Sequence, residues 1–315
     1  MKLAIVCPGQ GSQSVGMMAD LAEARPEVRA TFDEASTVLG YDLWRLCAEG
    51  PASRLNATER TQPALLAAGV AAWRCWRASG GPVPAAMAGH SLGEITALVC
   101  ADALGYADAV ELVRFRGREM QEAVPEGEGA MAAILGLDDE QVATVCAEAA
   151  AGDVVVPVNF NSPGQVVIAG QAAAVERAVE ACRLRGAKRA VPLPVSVPSH
   201  SPLMQPAAER LREHLRHVPV AAPAIRVHAF DDTLHETPAG IRDALYRQLF
   251  NPIRWASIVR RMIGDGVTHV VEAGPGKVLA GLVRRAEGGR GLDVQTIESV
   301  ASLEAALAAC KEEAT

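Results

Sequence analysis

Residues 88–94, Ala-Gly-His-Ser-Leu-Gly-Glu, restrict the fold of this chain more than any other stretch. They follow Ala85-Ala86-Met87-Ala88, a short apolar run suited to a buried strand. They precede Glu94-Ile95-Thr96-Ala97-Leu98-Val99, which is good helix-forming material. G-x-S-x-G between a strand and a helix predicts a nucleophile elbow, a turn that holds the Ser91 hydroxyl out of a sheet. Gly89 and Gly93 suit that turn, because side chains there would collide with the adjoining strand or helix. The N–H groups opening the helix would face a developing oxyanion. The same letters also fit a plain tight turn with a capping serine, so the rest of the chain must decide.

The chain has 315 residues, half of them hydrophobic, enough for a large core in one domain or in one domain carrying a second. A net charge of -7 without a basic cluster leaves no footprint for nucleic acid. The seven cysteines form no C-x-x-C pair and read as reduced core thiols. The opening segment, Leu3-Ala4-Ile5-Val6-Cys7, reads as a strand broken by Pro8-Gly9, not as a signal peptide. No apolar run reaches the roughly 20 residues that span a bilayer. These features predict a soluble, cytoplasmic protein with no membrane partner.

The loop Pro8-Gly9-Gln10-Gly11-Ser12-Gln13-Ser14 does not complete G-x-G-x-x-G, since Ser14 stands where the third glycine belongs. It reads as a loop for close backbone approach with Gln10 at its tip, or as a simple turn. Pro26 sits as a first-turn proline for a helix ending near Leu39. Thr61-Gln62-Pro63 leads into an apolar helix over 64–73. A further helix over 107–120 carries Arg114, Arg116 and Arg118. Residues two apart on a helix point in different directions, so at most one or two of these arginines face inward. An inward guanidinium is costly unless it meets an anion. The spacing does not choose among the three.

Beyond residue 124 the pattern changes to strand 130–137, helix 138–151, strands 154–160 and 165–170, helix 172–186 and strand 189–195. The turn Asn161-Ser162-Pro163-Gly164 joins the two middle strands. This order predicts a small ferredoxin-like α+β domain over 125–196. It is inserted into a large α/β-hydrolase-like domain with a parallel sheet, formed by 1–124 and 197–315. Past the insertion, prolines flank His200 in Val197-Pro198-Ser199-His200-Ser201-Pro202, a placement suited to a general base or to a capping histidine. His90 lies inside the elbow and points away from where a base must stand. His214, His217, His228, His235 and His269 offer less, and none makes a metal-ligand spacing such as H-E-x-x-H. Gly274-Pro275-Gly276-Lys277 is not a P-loop, because Val271 and Val278 occupy positions that need glycine and Ser/Thr.

Taken together, the elbow, the Gln10 loop and the isolated His200 resemble the malonyl-CoA:acyl carrier protein transacylases, of the stand-alone bacterial fatty-acid synthase type. The matching segments include Pro8-Gly9-Gln10-Gly11-Ser12-Gln13, Gly89-His90-Ser91-Leu92-Gly93-Glu94, Arg116-Gly117 with Met120-Gln121, and Gly129-Ala130-Met131. They continue through Asn159-Phe160-Asn161-Ser162-Pro163-Gly164-Gln165, Val197-Pro198-Ser199-His200, Gln248-Leu249-Phe250-Asn251-Pro252 and Gly274-Pro275-Gly276-Lys277. The resemblance implies that Ser91 is the nucleophile and His200 its base, steadied by a main-chain carbonyl near Gln248 rather than by an acid. It implies that Arg116 clamps the malonyl carboxylate, which selects it from the three arginines. Backbone N–H groups of Gln10 and Leu92 would form an oxyanion hole, with Asn159, Gln248 and Met120 in the substrate site. It also implies malonyl-CoA and acyl carrier protein as partners, ping-pong transfer, no cofactor or metal, and a monomer. His228-Ala229-Phe230-Asp231 departs from the family, which commonly has asparagines there. Competing readings are a serine esterase or thioesterase, a malonyl transferase of a polyketide or malonate decarboxylase system, and a silent acyl-binding protein.

Overall fold

In the computed structural model, which describes residues 1–195, 197–286 and 291–311, the first strand is buried along its whole length. This is β1 (Leu3–Cys7). Leu3, Ile5 and Cys7 join the core on one face, and Ala4 and Val6 join the core on the other. A strand apolar on both faces belongs inside a parallel sheet covered by helices. Its neighbours are β2 (Ala86–Gly89) and β9 (His269–Ala273), both parallel to it. Outside them lie β10 (Asp293–Ile297) on one side, then β7 (Val227–His228) and β8 (Leu234–His235) on the other. The sheet order is β10-β9-β1-β2-β7-β8, with only β8 antiparallel to its neighbour.

A second, antiparallel sheet contains β3 (Gly129–Leu135), β4 (Val155–Ser162), β5 (Gln165–Gln171) and β6 (Arg189–Pro192). Its order is β4-β5-β3-β6. Helices Asp139–Ala150 and Ala172–Leu184 cover one face through Ile134, Val166, Ile168, Val142 and Val175. The opposite face presents Met131, Val158, Val167 and Ala169, with Leu193 and Val195 packed on them. The free edge of β4 pairs with the segment at Ile253. Phe160 N donates to Ile253 O at 2.9 Å, and Ile253 N donates to Val158 O at 2.9 Å. Ser196, the expected last residue of the small domain, lies outside the described residues, as do 287–290 and 312–315 of the expected large one.

Several boundaries differ from the sequence reading. The helix expected from residue 64 begins at Thr58 and runs to Ala78, with Pro63 inside it. Pro63 removes one amide donor near the helix start, and the unbroken burial of Pro63 to Ala72 outweighs that loss. β6 stops at Pro192 rather than 195, because Pro192 and Pro194 have no amide hydrogen for the ladder. β10 and helix Val278–Arg285 had no distinct expectation, being short elements whose apolar positions show only in the assembled core. All seven cysteines are buried thiols, none of them in a disulfide. No helix among the described residues is long and apolar enough to cross a membrane.

Candidate active site

Ser91 is the second of the two residues between β2 and helix Leu92–Cys100, with φ 54 and ψ -111. A non-glycine residue in that region is strained, and such strain persists only where the surroundings enforce it. Two close approaches enforce it. A Cβ on Gly89 would lie 1.9 Å from the carbonyl carbon of Gly93, and one on Gly93 would lie 2.0 Å from Cys7 O. Only glycines let strand and helix come that near. His90 N donates to Cys7 O at 3.1 Å and Gly93 N to His90 O at 2.9 Å, which closes the turn.

His200 also has a positive φ, 64. Its backbone N donates to Leu249 O at 2.9 Å, and its ring Nδ1 lies 2.8 Å from Gln248 O. A carbonyl can only accept, so Nδ1 carries the proton and Nε2 is the acceptor. Nε2 stands 2.8 Å from Ser91 Oγ, so the serine hydroxyl donates to it. Burial pushes the His200 imidazole down to about 3. The Gln248 carbonyl opposes that shift, and the charge of Arg116 and the neighbouring His90 add to it. At neutral pH the ring is uncharged and able to take a proton.

The structure separates the three arginines. Arg114 pairs with Glu111 and Arg118 with Glu119, both with half-exposed guanidinium groups, whereas Arg116 is 1% exposed. Helix Tyr106–Glu122 lies against helix Thr58–Ala78, so close at Gly117 that a Cβ there would meet Thr58 O at 2.8 Å. This contact brings Arg116 Nη1 to Gln62 Oε1 at 2.8 Å. Nη2 donates to Gln248 Oε1 at 2.9 Å and to Ser91 Oγ at 3.2 Å, while Nε is buried without a partner. Burial pushes the guanidinium down to about 10, and the charge of Glu94 opposes this, so Arg116 remains a cation at neutral pH. A buried cation touching only neutral groups is a receptor for an anion.

Gln10, Leu92, Met120 and Asn159 line the same cavity as Ser91, His200 and Arg116, a space of about 110 Å³. Met131, Leu193 and Val195 from the second sheet's segment close its far wall. Asn159 Oδ1 is buried there without a partner. Gln248 joins Arg116, His200 and the main chain of Ser91 from behind the cavity. Gln10, Ser91, Leu92, Arg116, Met120, Asn159, His200 and Gln248 are therefore brought together, while Arg114 and Arg118 are not. Sequence reasoning missed Gln62, Glu94, Asn161 and His235. Glu94 Oε1 accepts from His235 Nε2 at 2.8 Å, and Oε2 accepts from Gln248 Nε2 at 2.9 Å. His90 Nε2 lies 2.9 Å from Asn161 Oδ1, which turns that ring away from Ser91's base position. Glu94 closes the motif itself and could have been suspected as a buried acid. Nothing local marks His235 as its neighbour, or Asn161 as that of His90.

His228, in the stretch that departs from the family, pairs through β7 with Ala88 of β2. It is fully buried, and neither ring nitrogen has a partner. Among the described residues, no group of three or more His, Cys, Asp or Glu could hold a metal ion.

A model of the acyl transferase domain matches residues 4–307, and the chain belongs to that family, as an acyltransferase. It is 60% identical over 285 residues to the malonyl CoA-acyl carrier protein transacylase of Escherichia coli strain K12, covering 90% of this chain and 92% of that protein. The acyl carrier protein S-malonyltransferase of Vibrio cholerae superimposes with a TM-score of 0.94 at 56% identity, covering 97% of this chain and 99% of that one. A malonyl-transacylase solved in complex with a type II PKS acyl-carrier protein superimposes with a TM-score of 0.96 at 52% identity, covering 98% and 100%. Within the family, the chain groups with these malonyl CoA-acyl carrier protein transacylases.

Proposed function

We propose that this acyltransferase moves the malonyl group from malonyl-CoA to the phosphopantetheine thiol of an acyl carrier protein, through an ester on Ser91. The observation that carries this reading is Arg116, a buried cation held by neutral groups only, 3.2 Å from the Ser91 hydroxyl. An acyl group bound to Ser91 beside such a cation is favoured when it ends in a carboxylate. Relatives named for malonyl transfer to acyl carrier protein support the same substrate pair.

The chemistry is ping-pong. His200 Nε2 takes the Ser91 proton as Oγ attacks the thioester carbonyl. The tetrahedral oxyanion is met by the backbone N–H groups of Gln10 and Leu92. The intermediate collapses by breaking the C–S bond, and CoA leaves as a thiol with the proton from His200. The carrier's thiol then gives its proton to the same nitrogen, its sulfur attacks the ester, and Ser91 Oγ departs with that proton. Each half-reaction leaves His200 neutral, as it began. Arg116 holds the malonyl carboxylate, while Asn159 and Met120 shape the cavity around the acyl group. The scheme needs no resident cofactor or metal.

In this reading the turn at Ser91 is a nucleophile elbow on an α/β-hydrolase-like domain of residues 1–124 and 197–315. The second sheet is a ferredoxin-like insertion over 125–196, whose strand order supports that assignment. The insertion's wall at Met131 and Leu193 keeps water from the ester. We place the protein as a cytoplasmic monomer supplying extender units for fatty-acid biosynthesis. A second reading, service to a polyketide carrier, is favoured by the likeness to a transacylase in complex with a type II PKS acyl-carrier protein. A hydrolase is disfavoured, since its histidine would usually meet a carboxylate where His200 meets a main-chain carbonyl.

The test is incubation with malonyl-CoA and, separately, acetyl-CoA, followed by peptide mass spectrometry. A malonyl adduct on the Ser91 peptide, discharged by holo acyl carrier protein, is expected. Absence of the adduct overturns the proposal.

A further inference from the structure

Arg116 is a buried cation whose hydrogen-bond acceptors, Gln62, Gln248 and Ser91, are all neutral. Its compensating charge stands one residue further away. Glu94 is 0% exposed, and its carboxylate accepts from Gln248 Nε2 at 2.9 Å and from His235 Nε2 at 2.8 Å. A carboxylate can only accept, so both neighbours must donate. His235 therefore carries a proton on Nε2, and Gln248 must turn its NH₂ group towards Glu94. The same NH₂ group donates to Ser91 O at 3.0 Å. With both amide hydrogens committed, Gln248 Oε1 faces the guanidinium, where it accepts from Arg116 Nη2 at 2.9 Å.

We infer that Glu94, held by His235, is a positioning residue that orients the Gln248 amide and through it the Arg116 guanidinium, and so sets the preference for acyl groups ending in a carboxylate. The inference rests on the function proposed above. Its physical sense lies in the distance. A carboxylate touching Arg116 directly would compete with the substrate's own. Across one amide it compensates the buried charge and leaves the guanidinium edge free. His235 gives Glu94 a second donor, which keeps that buried carboxylate from turning away from Gln248.

Glu94→Gln preserves size but adds a donor, so the Gln248 amide can turn over and present its NH₂ to Arg116, donor against donor. The expected result is a rise of about tenfold in KM for malonyl-CoA, with kcat/KM for acetyl-CoA falling less than about threefold. His235→Gln, which can still donate to Glu94, should retain most of the malonyl preference, and His235→Leu, which cannot, should move towards Glu94→Gln. Equal losses for both acyl groups, or an unchanged malonyl KM in a folded variant, would overturn the inference. A crystal structure of Glu94→Gln reads the same point without turnover. A turned Gln248 amide or a displaced Arg116 supports the inference, and an unmoved pair overturns it. Failure of the unmodified enzyme to malonylate Ser91 would sink the proposed function instead, leaving the crystal structure to decide the positioning role.

Discussion

Arg116 Nη2 stands 3.2 Å from Ser91 Oγ, so a fixed positive charge and the hydroxyl that would carry the acyl group share one small cavity. His200 Nε2 approaches the same oxygen at 2.8 Å. The hydroxyl thus donates to a neutral imidazole while accepting from a cation. That arrangement favours loss of its proton and places a cation beside any ester formed there.

Arg116→Ala should separate the two acyl groups. On the proposed reading, loss of the Arg116 guanidinium predicts a fall of about 10²- to 10³-fold in kcat/KM for malonyl-CoA, with a much smaller effect on acetyl-CoA. Steady-state kinetics with both thioesters measure this, and parallel losses would remove Arg116 from its role.

The pH dependence of Ser91 loading should be shallow on the acid side. His200 is held down to about 3, so its basic form persists until the pH falls towards that value. Rapid-mix malonylation should be nearly flat between about pH 5 and 8. An acid limb centred near 6.5 would show that the buried ring titrates like a free one. His200→Ala should lower the loading rate by about 10³-fold or more.

Stability should fall in mild acid, with His228 as one cause. Burial first, with Arg261 adding, pushes this imidazole down to about 4. The unfolded chain, at about 6.5, binds the proton first, so stability is lost as pH falls from about 6.5 towards 4. Between pH 7 and 5 this amounts to about 2 kcal/mol from His228. His228→Leu should lose about 2 kcal/mol less over that interval, as read by urea unfolding at both pH values. An identical pH slope in the variant would contradict the assignment.

Gly93→Ala should abolish Ser91 acylation and destabilise the fold by more than about 3 kcal/mol, because the new methyl would meet Cys7 O at 2.0 Å. Gly264→Ala, which closes a helix and meets nothing within 4 Å, should be neutral or stabilising by up to about 1 kcal/mol. Thermal unfolding of the two variants makes the comparison, and similar losses would mean that close approach is not what demands Gly93.

Much of the fold was legible because its signals are local. Helix 26–39 starts at its proline and stops at Gly40, whose φ is 73. The alternation of strands and helices between 129 and 192 followed the expected order, since each element there carries its own apolar period. Pro63 misled because proline's local preference was weighed without the burial that overrides it. β6 was read too long for a related reason, its apolar letters outlasting its amide donors.

The sequence by itself determined the strand, turn and helix around Ser91, because Gly89 answers to Gly93 and Glu94, a few residues away. It also marked Ser91, His200 and Gln10 as chemistry-bearing positions, and the resemblance carried their roles. Only the tertiary structure decided which arginine is buried, which carbonyl steadies His200 from 48 residues away, and that Glu94 meets His235 across 141 residues. Backbone shape answers to near neighbours and short-range sterics. The state of a buried charge answers to whatever the fold packs against it.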